Sequence, residues 1–294
     1  MSIQITAVTL TAANYSEYLD LIPTLSRLKT LIAFKQPTIT EIPAELPDSL
    51  KEINIIMSGL SEIRALPNWL EYLYCQMNNL KSLPERMPRN LRILNCSDNH
   101  LARLPQLPQT IKVLYCSGNP LKSVPNWLPD SLTMLDISRC GITELPARLP
   151  KSLTNLKCHN NKLVRLPSVL PSELSSLDCS FNQITEIPPL PYKLLFIDAS
   201  HNQLSIFDFN GIRQTMGIRL DSNPDLPEYR HPLTLKSNIE YNHGLTHRTL
   251  WTRRMKIMKS ELLPNSHRIC YAPSRVERLL ASGELDITEL AGDL

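Results

Sequence analysis

Glycine is scarce in this chain, with eight among 294 residues. None of the eight builds a G-x-G-x-x-G or G-x-x-x-x-G-K loop, which removes the usual phosphate cradles. No run of 18 apolar residues occurs, so no membrane-spanning helix is expected. The start, Met1-Ser2-Ile3-Gln4, has neither a basic region nor a long apolar run, and no secretory signal is expected there. Acid and base nearly balance, at 28 Asp and Glu against 31 Lys and Arg. A net charge of +3 is too mild to imply nucleic acid or a membrane surface. No C-x-x-C pair is available for a zinc site. His243 and His247 are four apart but lack the Glu between them that a zinc-protease helix requires. Cys270, with His267 just before it, is the one candidate nucleophile, and no third group to orient a base is visible. The expectation is therefore a protein that is not an enzyme and uses no cofactor or metal.

Leucine and proline dominate what is present. Apolar residues recur at Val8, Leu31, Ile53, Leu73, Leu94, Leu114, Leu135, Leu156, Leu177, Ile197 and Ile218, with gaps between 20 and 23 residues. A fixed period of that length marks a solenoid, in which each repeat contacts only its neighbours. The unit is clearest at Leu91-Arg92-Ile93-Leu94-Asn95-Cys96-Ser97-Asp98-Asn99-His100-Leu101. It returns at 111–121, 153–163, 174–184 and 194–204 as L-x-x-L-x-C/A-x-x-N-x-L. A return with paired Leu-Pro steps follows, as at Leu104-Pro105 with Leu107-Pro108 and Leu166-Pro167 with Leu170-Pro171.

The spacing assigns each position a side. The second Leu and the Cys-column residue are two apart, so both point to the same face of a short strand. Stacked repeats pair such strands in parallel about 4.8 Å apart, and eleven of them make an arc about 50 Å long. Most of the 24 prolines fall in the returns, where no sheet ladder needs the missing N–H and the chain runs extended rather than helical. Asn78, Asn99, Asn119, Asn161, Asn182, Asn202 and Asn223 form one column, expected to satisfy backbone groups at the turn after each strand. Ser58 and Cys140 interrupt it, so those two turns are expected to be weaker or differently paired. Cys75, Cys96, Cys116, Cys158 and Cys179 form another column, read as small core residues. In-register parallel strands hold Cβ atoms too far apart for disulfides. Seven cysteines in all, an odd count, point to a reducing, cytoplasmic setting.

Three segments emerge: an N-terminal cap with divergent repeats over 1–45, the solenoid over 46–226, and a C-terminal cap and tail over 227–294. In the first, Ile5, Val8 and Leu10 fit a strand, and Tyr15, Tyr18, Leu19 and Ile22 fit a short helix ended by Pro23. In the last, Trp251, Met255, Met258 and Leu262 fit an apolar helical stripe that covers the final coil. Arg248, Arg253, Arg254, Lys256 and Lys259 are read as its solvated side. A second short helix is expected over 275–281, with Ser274 and Glu277 as its capping box.

The paired Leu-Pro returns followed by L-x-x-L-x-C-x-x-N-x-L resemble the short leucine-rich repeats of bacterial type III effectors, and similar repeats occur in giant-virus proteins. The resemblance covers roughly residues 25–226. It implies a leucine-rich-repeat arc, an α/β repeat solenoid with a parallel concave sheet, acting on a host protein in the host cytoplasm. Some of those effectors carry a C-terminal ubiquitin ligase domain with a catalytic C-x-D. The tail cysteine here reads Cys270-Tyr271-Ala272, which departs from that pattern.

The concave face is expected to display Glu52, Tyr72, Ile93, Val113, Met134, Asn155, Ser176 and Phe196 in one column. The next column is Asn54, Tyr74, Asn95, Tyr115, Asp136, Lys157, Asp178 and Asp198. Tyr72, Tyr74, Ile93, Val113, Tyr115 and Met134 cluster over four repeats and form the candidate partner site, with the three tyrosines as its centre. The expected function is a non-catalytic solenoid binding a protein partner. The alternatives are a recognition module or ligase adaptor recruiting a second partner through the tail, and a nucleic-acid binder using the basic tail. The lack of a basic column on the face argues against the last.

Overall fold

A computed structural model describes residues 5–208 and 216–226. All of them belong to the first of the two units into which the chain divides, Met1–Tyr229. The expected tail helices, with Trp251, Met255, Met258, Leu262 and the basic side chains, lie outside the described residues.

Eleven short strands follow one another: β1 (Ala7–Leu10), β2 (Thr30–Phe34), β3 (Glu52–Ile56), β4 (Tyr72–Tyr74), β5 (Ile93–Asn95) and β6 (Val113–Tyr115). After these come β7 (Met134–Asp136), β8 (Asn155–Lys157), β9 (Ser176–Asp178), β10 (Phe196–Asp198) and β11 (Gly217–Arg219). They pair in parallel, in strict chain order, into one sheet. The eleven periodic apolar residues are the second residue of each strand and meet in register, Val8 on Leu31, Leu31 on Ile53, and so on to Ile197 on Ile218. Each successive strand therefore adds one coil, giving a solenoid of about ten turns.

The coils close because each carries the same apolar set. Leu91, Leu94, Cys96 and Leu101 of one coil are fully buried, as are Ile111, Leu114 and Cys116 of the next. Each such Leu or Ile contributes about 1.5 to 3 kcal/mol by leaving water. The returns use proline as the periodicity implies. In eight coils the last return proline accepts a hydrogen bond from the buried residue three positions on, from Leu50 on Pro47 at 3.0 Å to Leu194 on Pro191 at 3.0 Å. That bond turns the extended return into the next strand.

The one α-helix among the described residues is α1 (Tyr15–Leu21), running into a 3-10 turn over Ile22–Thr24 with Pro23 in its first turn. Ile22 is fully buried, and Tyr15 and Tyr18 pack against the core, so the helix lines the first coil. Ile5 lies outside β1 and is exposed. Residues 7–34 thus hold the first two strands of the sheet.

Candidate partner-binding face

At the exit of each strand the Asn column repeats one pattern. Asn119 shows it: Oδ1 accepts from Leu101 N–H at 3.0 Å, while Nδ2 donates to Cys96 O at 2.9 Å, Cys116 O at 3.0 Å and Ser117 O at 3.3 Å. One amide therefore ties its own turn to the previous coil. Asn78, Asn99, Asn161, Asn182 and Asn202 make the same set. Asn223 bonds Ala199 O, Leu220 O and Leu204 N–H. These are internal bonds, and the column offers little to a ligand.

The two interruptions pair differently. Ser58 Oγ donates to Ile56 O at 3.1 Å and accepts from Gln36 N–H at 3.2 Å. Cys140 Sγ donates to Cys116 O at 3.2 Å and Ser138 O at 3.3 Å. Sulfur supplies no strong acceptor, and Leu121 N–H turns to Asn119 O at 2.9 Å instead.

A second column escaped the sequence reading. The residue before each rung holds a left-handed backbone: Lys35, Met57, Met77, Asp98, Arg139, Asn160, Phe181, His201 and Ser222 have φ between 50° and 58°, and Gly118 has φ 68°. Bulky residues rarely adopt this region. Only Asp98, Gly118 and Asn160 carried a compositional hint. Their N–H groups donate to the next coil, Asp98 to Ser117 O at 2.7 Å and Gly118 to Ser138 O at 2.9 Å. At Gly118 a Cβ would collide with the Asp98 carboxylate, which here reaches past it to Arg139 Nη2 at 2.9 Å.

The thiols are inert core groups. Cys75, Cys96, Cys116, Cys158 and Cys179 are fully buried, and burial pushes Cys75 up to about 12. Cys140 is pushed up to about 11 for the same main reason.

On the outward face of the sheet, Tyr72, Ile93, Val113 and Met134 meet in register as one continuous apolar row across β4 to β7. Tyr72, Val113, Tyr115 and Met134 are half-buried. The expected exposure fails at two positions, since Tyr74 is fully buried and Ile93 is 6% exposed. Neither belongs to the coil core, so the burial arises on the outward side. Tyr74 stands between Asn54 and Asn95 in the register. The three tyrosines also do not form one patch, because Asn95 separates Tyr74 from Tyr115 in the register. The centre of the candidate site moves to Tyr72, Val113, Tyr115 and Met134.

From β7 on, the column that holds Tyr115 turns polar, and its aspartates bond locally. Asp178 Oδ1 accepts from Ser180 Oγ at 2.8 Å, and Asp198 Oδ1 accepts from Ser200 Oγ at 2.6 Å. Asp136 Oδ1 accepts from Ser138 N–H at 3.1 Å. The Asp-x-Ser spacing was visible in the sequence and signals these local bonds. No group of His, Cys, Asp and Glu suited to a metal occurs among the described residues. None of their helices is long and apolar enough to cross a membrane.

One parallel strand per coil of 20 to 23 residues, a Leu-lined interior and an asparagine rung at most turns are the marks of the leucine-rich-repeat fold, which the described residues adopt. Solved structures similar to it include YopM from Yersinia enterocolitica WA-314, 31% identical with a TM-score of 0.56 over 70% of this chain. The match spans 51% of the YopM chain, about half its length. A Shigella effector leucine-rich-repeat domain is 27% identical over 58% of this chain and 75% of its own, with a TM-score of 0.49. The APL1 leucine-rich-repeat domain shares the fold at 21% identity, a TM-score of 0.53, and coverage of 69% of this chain and 58% of its own. No family description matches the sequence, and no curated protein does.

Proposed function

We propose that this chain is a non-catalytic recognition solenoid that binds a protein partner through the outward face of its sheet, at Tyr72, Val113, Tyr115 and Met134. One observation carries the reading: a continuous row of large apolar side chains, Tyr72, Ile93, Val113 and Met134, lies on the outward face across β4 to β7, with Tyr115 in the next column. Such a row costs solubility in a free solenoid and supplies the anchors of an interface when covered. The resemblance of the repeats to those of bacterial effectors supports an effector-like role, and the partner we propose is a host protein. The setting we propose is cytoplasmic, which fits six buried free thiols.

The test is capture from a host-cell lysate by the full chain, compared with a Tyr115→Ser/Met134→Ser double variant. The variant is expected to lose the captured protein while keeping the wild-type far-UV circular dichroism. Equal capture by both forms overturns the assignment of this face.

A further inference from the structure

The apolar row ends at a carboxylate. Glu52 on β3 lies in register with Tyr72 on β4, in the same outward column. It is half-buried, and its carboxylate has no ion pair or hydrogen bond among the described residues. Two acids of neighbouring coils are matched: Glu71 lies 3.2 Å from Lys51 and 3.6 Å from Arg92, and Glu41 lies 3.2 Å from Arg64. Burial raises the Glu52 carboxyl above its usual range. A half-buried anion beside an aromatic ring is a site of unmet charge. A second polar atom on this face is also unmet. Gln76 follows Tyr72 and Tyr74 by strand alternation, is 9% exposed, and its buried Oε1 has no hydrogen-bond partner.

We infer that the partner of this face is an extended protein segment carrying a lysine or arginine for Glu52 and apolar side chains for Val113 and Met134. This rests on the reading of the face proposed above and names the chemistry of what it binds. The cation would meet the Glu52 carboxylate and the Tyr72 ring together, which combines ion pairing with cation–π attraction. Strand spacing fixes the reach. Val113 lies three strands from Glu52 and Met134 four, about 14 and 19 Å away. An extended segment covers those distances in about four and six residues, so the apolar anchors fall that far from the basic one.

A random peptide library displayed on phage, selected against the full chain, tests this. Enriched peptides are expected to share a Lys or Arg with apolar residues about four to six positions away. Glu52→Gln should weaken an enriched peptide about tenfold or more, and replacing the basic residue by glutamine should weaken it equally. Added salt should weaken wild-type binding more than Glu52→Gln binding. Enriched peptides that are lost with Tyr115→Ser/Met134→Ser but carry no basic residue, and ignore Glu52→Gln, overturn the inference and leave the face intact. Peptides indifferent to both sets of substitutions overturn the reading of the face as well. A selection that enriches nothing overturns the inference of a linear segment, while capture of a folded partner from lysate still judges the face.

Discussion

The turn at the strand exit and the outward face of the same strands are built from the same repeats and behave oppositely. At the turn, Asn78, Asn99 and Asn119 make nearly identical bonds, and the departures at Ser58 and Cys140 still direct a donor at neighbouring carbonyls. On the face, in-register neighbours differ at almost every step: Tyr74, Asn95, Tyr115, Asp136, Lys157, Asp178. Repetition marks the positions that every coil needs in order to stack. Variation marks positions that stacking leaves unconstrained, where recognition can be written.

The sharpest challenge to that division is Tyr74, which stands on the variable face and is fully buried. Tyr74→Ala is expected to lower stability by about 3 to 5 kcal/mol, as for any large buried ring. Tyr115→Ala, at a half-buried place in the same column, should cost about 1 kcal/mol or less. Urea unfolding of both variants measures the gap, and equal losses would mean that the face is as structural as the turn.

Next comes the turn itself. Asn99→Ala removes three donated bonds and one accepted bond in a buried site and should cost about 2 to 4 kcal/mol. Cys140→Ala loses two weak thiol contacts and should cost about 1 to 2 kcal/mol. If the two variants unfold at the same urea concentration, the amide is not what makes the rung.

The smallest effect concerns Glu52. Its carboxyl is raised by burial, so the folded chain holds the proton more tightly than the unfolded chain. Stability contributed by this group is therefore present below the ordinary carboxyl range and falls as pH rises through the raised value. Glu52→Gln should melt above wild type at neutral pH and together with it in mild acid. A variant that melts lower at neutral pH would show that the charge has a stabilising partner and does not await one.

Much of the fold was legible because period and packing share a cause. The second residues of the strands, from Val8 to Ile218, fall on the periodic apolar positions, since only a residue that returns every coil can line a continuous interior. The Asn column was legible for the same reason. The left-handed column was not, because Met77, Arg139 and Phe181 tolerate that backbone only where the ladder around them holds it. The face was half legible. Alternation placed Tyr72, Val113 and Met134 outward, but it carries no information on how deeply Tyr74 or Ile93 is covered. Glu52 was named only as a member of its column, because the absence of a partner for a charge is a property of space and not of order along the chain.

The rung at Cys140 has a mechanical meaning. Each asparagine stitches its own coil to the one before, so the stack resists parting between neighbours. Between the coils of β6 and β7 that stitch is a thiol, which makes this joint the weakest seam in the ladder of the described residues. Across the same seam runs the ion pair from Asp98 to Arg139, arching over Gly118 and skipping one coil. Both partners are about half exposed, so the strap is worth less than about 1 kcal/mol and fades with salt. Most other joints keep a buried asparagine amide beside surface ion pairs such as those of Glu71 with Lys51 and Arg92. A stretched or heated molecule should therefore crack first between residues 119 and 140, where a thiol stands in place of the amide.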